Sequence, residues 1–158
     1  MSTDHQAGWR DEVPRWLRRH PLRAVLVVIA VITALTGLAE ILLPATMLSL
    51  LGAQPTALAT QLFATVGLFM IIVGGLLTQS LLRHTPNQDV VFWSGLQKTG
   101  AVVAVSVGVL NSVFGPIALL VAAFDLATAV LLFVYGKSLP REFARQQPTP
   151  SRRDDDRS

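Results

Sequence analysis

Four runs of about twenty apolar residues leave this chain few ways to fold. They lie near 24–43, 57–82, 90–113 and 117–136. At ~1.5 Å per residue, a helix of that length matches the ~30 Å hydrocarbon core of a bilayer. A chain of 158 residues has room for one domain, so the spans must pack on each other. Composition agrees: 15% of residues are charged, where a soluble domain has about 25%, and mean hydropathy is +0.51. The reading is all-α: an integral membrane bundle of four transmembrane helices.

Charge sets the expected orientation. Of 13 Lys and Arg, five precede or open the first span, Arg83 sits between the second and third, and six follow the fourth. The other two loops carry none, so the positive-inside rule puts both termini in the cytoplasm. Residues 1–22 then form a basic cytoplasmic segment, with Trp9 and Trp16 approaching the headgroups. A signal peptide also starts basic, but its apolar core is only about 7–15 residues, so the longer first run reads as a retained span. Residues 23–136 make the transmembrane domain. The tail, 137–158, is rich in charge, proline and glutamine and is expected to be disordered beyond a short juxtamembrane helix. A sequence pI near 10.2 reflects this flanking charge, not a stripe for nucleic acid.

Between Pro44 and Pro55 the chain is uncharged and too short to span; Met47, Leu48, Leu50 and Leu51 suggest a turn of surface helix ended by Gly52. In the second span Gln61, Thr65 and Gln79 share a face near Gly75, which reads as a packing face. In the third, Gly100, Ala104 and Gly108 repeat every four residues and predict close helix contact. In the fourth, Asp125 and Thr128 share a face with Ala118, Ala122 and Ala129, and Tyr135 is placed for the interfacial aromatic belt.

Two places put charge where lipid should be. Lys98 lies ~12 Å from the basic edge of its span, and Asp125 ~12 Å from the opposite edge of the next. In a ~30 Å core their backbones differ by roughly 6 Å in depth, within reach of a lysine side chain. A cation in hydrocarbon costs about 2.5–3.5 kcal/mol, so a buried ion pair between Lys98 and Asp125 is expected. Such a pair either fixes register or takes part in moving a proton or substrate. The second place is Glu40, on a stripe with Thr33 and Thr36 and at a depth similar to Gln61. It is either a partly hydrated carboxylate near the interface or an inward polar site.

No catalytic constellation is present. The chain has no cysteine; His5, His20 and His84 lie outside the spans, which excludes a bis-histidine haem site; no phosphate loop, zinc motif or nucleophile elbow occurs. No cofactor or metal is expected, and the chain reads as a non-enzyme. Its expected partners are the lipid bilayer and a second copy or a larger membrane complex, without nucleic acid.

Pro44, Leu50-Leu51-Gly52, Gly67, Lys98-x-Gly100 and Asp125 give the layout a resemblance to the DoxX-like small four-helix membrane proteins of bacteria. The resemblance implies a cytoplasmic-membrane location; some members of that family are linked to quinone-dependent redox chemistry. Leu38-Ala39-Glu40 and Trp93-Ser94-Gly95 are similar to patches of the small multidrug-resistance transporters, whose glutamate in the first helix exchanges protons for cationic drugs. Here Glu40 lies nearer its helix end, and Lys98 would place a cation in the drug path. Three functions follow as expectations: a membrane scaffold or accessory subunit, a proton-coupled transporter, or a quinone-linked redox accessory subunit.

Overall fold

The computed structural model describes residues 21–83 and 85–146, with side chains of the last helix to Leu139. The basic segment with its two tryptophans and the end of the tail lie outside the described residues. Five helices and no strand occur among the described residues: α1 Pro21–Leu42, α2 Pro44–Leu50, α3 Ala57–Leu82, α4 Gln88–Leu110 and α5 Ala118–Gln146. Four of them, α1, α3, α4 and α5 as far as Leu139, are long and apolar enough to cross a membrane. Their ends fall within a few residues of the expected spans, and α5 runs on past its apolar part, which ends at Leu139, to Gln146.

Local chemistry starts and stops each helix. Thr56 accepts from the amide of Ala59 to cap α3, and Asn87 accepts from Asp89 and Val90 to cap α4. Pro44 ends α1 and opens α2, where a missing N–H costs nothing. Gly52 follows α2 with φ +74°, and a Cβ there would lie 2.8 Å from the Gly115 amide. Glycine is therefore required twice over: for the left-handed turn, and to let the Gly115 amide donate to Leu51 O at 2.8 Å. That bond ties together the two uncharged connections, 43–56 and 111–117.

The four long helices form two tight antiparallel pairs, α1 with α3 and α4 with α5, which meet each other through fewer residues. The first pair owes its closeness to glycine. A Cβ on Gly37 would press on Gly67 O and come within 2.8 Å of Met70 Cβ; one on Gly74 would come 2.8 Å from Ala30 O. Backbones at this range gain dispersion contacts that lipid cannot supply. The expected small-residue contact thus exists, on a different helix from the one predicted. On α4, Gly100 has nothing within 4 Å, Ala104 is exposed, and Gly108 faces the ring of Phe114.

α3 also turns otherwise than its polar pattern predicts. Gln61, Thr65 and Gln79 are exposed and Gly75 meets nothing, whereas Gly67, Gly74, Leu77, Ser80 and Leu81 are buried. Gln61 and Gln79 sit within about one turn of the helix ends, where headgroups and water can satisfy them, so they need not face inward. Thr65 satisfies its own hydroxyl by donating to Gln61 O.

The interior is layered. At the basic end Leu26, Ala30, Leu77, Leu81, Val91, Leu132, Tyr135 and Leu139 form an apolar plug. Tyr135 is 5% exposed, inside this plug and not in an outer aromatic belt. Midway, buried side chains turn polar: Thr33, Ser94, Lys98, Asp125 and Thr128, with Glu40 also buried but nearer the uncharged end of α1. The outer faces are aliphatic, with Leu110 83%, Leu58 71% and Leu120 71% exposed. Polar residues inside and large aliphatic residues outside suit a hydrocarbon solvent, whereas in water such faces would associate.

Candidate functional site

The polar layer is assembled by seams of three- and four-residue spacing. On α1 the buried residues are Arg23, Leu26, Ala30, Thr33, Gly37 and Glu40. This seam is centred near Gly37, which must meet Gly67; Thr33 and Glu40 fall on it, and Thr36 lies roughly 90° round the helix. Thr36 is exposed and donates to Ile32 O at 2.9 Å. The grouping of Glu40 with Thr36 and Gln61 is therefore corrected: Thr33 shares the buried face, and Thr36 and Gln61 point away from it.

On α5, Ala118, Ala122, Asp125, Thr128, Ala129 and Leu132 are all buried, the small residues letting α4 approach Asp125. Lys98 Nζ donates to Asp125 Oδ1 at 2.6 Å, with side chains 7% and 9% exposed. The ammonium also lies 5.9 Å from the centre of the Phe124 ring, a second source of attraction. Both members belong to the α4–α5 pair of helices.

Glu40 reaches the same cluster from the other pair. It is 8% exposed, and its Oε2 is buried without a hydrogen-bond partner. Its backbone is fixed by Gly67, where a Cβ would come 2.9 Å from Glu40 Cβ. Desolvated by this packing, Glu40 lies close enough to Lys98 and Asp125 for both charges to act on it. Three charged groups from α1, α4 and α5 thus lie within electrostatic range of one another, with Lys98 and Asp125 in contact and Glu40 unpaired. The sequence placed the ion pair and the carboxylate at separate sites; helix packing brings them within that range.

Next to the cluster is a cavity of about 10 Å³, lined in part by Thr33, Gly74, Ser94, Gln97, Lys98 and Thr128. That is the scale of one water molecule. Gln97 Oε1, buried and unpartnered, is one of its polar neighbours. A larger groove, about 520 Å³, opens at the uncharged end between α2, α3 and the 111–117 connection, and Leu48, Gln54, Phe63, Val66 and Phe114 help to line it.

At the basic end Arg23 is 7% exposed. Its Nε donates to Leu81 O at 2.6 Å and its terminal nitrogen to Arg83 O. Arg23 thereby satisfies carbonyls left open at the end of α3, as a basic group at a helix C-terminus should. Sequence reading assigned it to topology alone. Its position three residues before Leu26, on the α1 seam, was the available signal.

No group of three or more His, Cys, Asp or Glu able to hold a metal occurs among the described residues. The chain matches no family model, no curated relative and no solved structure.

Proposed function

We propose that this chain is a multi-pass protein of a bacterial cytoplasmic membrane, both termini cytoplasmic, acting as a binding or accessory subunit and not as an enzyme. One observation carries the reading: the reactive side chains Glu40, Lys98 and Asp125 are buried among the helices, and the cavity that Lys98 lines is only about 10 Å³. No organic substrate fits there, whereas an exposed strip at Gly100 and Ala104 leaves α4 open to another helix. Of the positions that carry the DoxX-like resemblance, Gly52 makes a left-handed turn, Gly67 packs against Glu40, and Lys98 pairs with Asp125.

Reporter fusions after Gly52, His84, Pro116 and the C-terminus test the orientation; an external C-terminus would sink it. Native mass spectrometry in mild detergent tests the accessory role. The expected particle is a homo-oligomer or a complex, and a strict monomer with measurable turnover counts against it.

The unpartnered Glu40 carboxylate favours a second reading, proton-coupled transport. Cells expressing the protein would then resist cationic drugs, and Glu40→Gln would abolish the resistance. Unchanged efflux in that variant removes the transport reading.

A further inference from the structure

Lys98 and Asp125 neutralise each other at 2.6 Å, so the charge on Glu40 has no counterpart within the cluster. Among the described residues no further titratable group acts on it. α2 and α3 contain none, and Arg23, the other ionisable residue of α1, lies 17 residues away at the opposite end. Among the described side chains of α4 and α5, Lys98 and Asp125 act on it. An ionised carboxylate with a buried, unpartnered oxygen is costly in low dielectric, and the neutral acid is not. One proton therefore balances the three-residue cluster.

Depth decides where that proton comes from. Glu40 is two residues from the end of α1, ~3 Å below the uncharged face. Towards the basic face it is followed by the polar layer and then the apolar plug of Leu26, Leu77, Leu81, Leu132 and Tyr135. The groove at the uncharged end also reaches Val66, adjacent to the Gly67 against which Glu40 packs.

We propose that Glu40, packed against Gly67 with one carboxylate oxygen buried and unpartnered, is a single-proton binding site that exchanges with the uncharged face of the membrane. The inference rests on the membrane-spanning reading alone, and holds for an accessory subunit or a transporter alike.

Dicyclohexylcarbodiimide tests it, because a protonated carboxyl in apolar surroundings adds to the carbodiimide to give a stable acylurea. The full chain is reconstituted in liposomes, its orientation scored by protease access to the C-terminus, and labelled peptides are identified by mass spectrometry. Labelling is expected at Glu40, absent at Asp125, falling as pH rises at the uncharged face and unresponsive to pH at the basic face. Glu40→Gln, which preserves shape, should fold and lose the label. Lys98→Met with Asp125→Leu should keep it, while shifting its pH midpoint. Absence of label at Glu40 at every pH, or equal labelling of Asp125, would overturn the site. Protection by sodium or potassium at fixed pH would overturn the proton in favour of a metal cation. Response to the basic face alone would overturn the assigned route. Reporter fusions that place the C-terminus outside the cell would instead defeat the assigned orientation in the membrane and leave the Glu40 result standing.

Discussion

Replacing Lys98 by Met and Asp125 by Leu, singly and together, asks what the buried pair is worth. At 2.6 Å and an effective dielectric of about 20, their attraction is about 6 kcal/mol. Each charge separately costs about 3 kcal/mol to hold at the centre of a span. Removing one forfeits the attraction and relieves one penalty, a net loss of about 3 kcal/mol, within the range seen when a buried pair is broken. Removing both forfeits about 6 and relieves about 6 kcal/mol, so the double variant should return close to the parent. Each single variant should show lower folded yield and an earlier unfolding midpoint in a denaturing-detergent titration, and the double variant should recover most of both. The coupling between the two substitutions is the quantity read. Additive losses would refute the reasoning, since two residues that exchange their full attraction cannot behave independently. A stable double variant that has lost a cellular activity would show that the pair does more than hold the helices.

Gly37→Ala should cost about 1–3 kcal/mol by forcing α1 off Gly67 and Met70, and a detergent titration measures it. Gly100→Ala, with nothing within 4 Å, should leave the folded monomer unchanged or slightly firmer. If α4 is the docking face, bulkier Gly100→Leu will change particle mass in native mass spectrometry without changing stability. Arg23→Gln should cost about 1.5–3 kcal/mol, because carbonyls at the end of α3 lose their charged donor. Hydrogen exchange should show the loss first at residues 80–83, and unaltered exchange there would discount the tie.

Length, apolarity and the placement of charge are local quantities, and so the four spans near 24–43, 57–82, 90–113 and 117–136 are legible from the chain alone. Their boundaries agree with the folded helices to within a few residues, apart from the extension of α5, because prolines and capping residues act on their own neighbours. The encounter of Lys98 with Asp125 is nearly as local: a short turn joins α4 to α5, and a buried cation needs an anion at its depth.

Helix rotation is another matter. In lipid, no hydrophobic force decides which stripe of an apolar helix turns inward. Close backbone approach decides it, and that depends on which glycines happen to face a complementary surface. Gly37, Gly67 and Gly74 do, while Gly100 with the same composition faces nothing. That rotation carried Thr33 and Glu40 inward, left Thr36 and Gln61 outside, and buried Tyr135 in the plug. The meeting of Glu40 with the ion pair required the two halves to be docked at one register, a relation between residues 58 and 85 positions apart that no local pattern encodes. Tertiary packing alone brought three scattered charges within electrostatic range of one another.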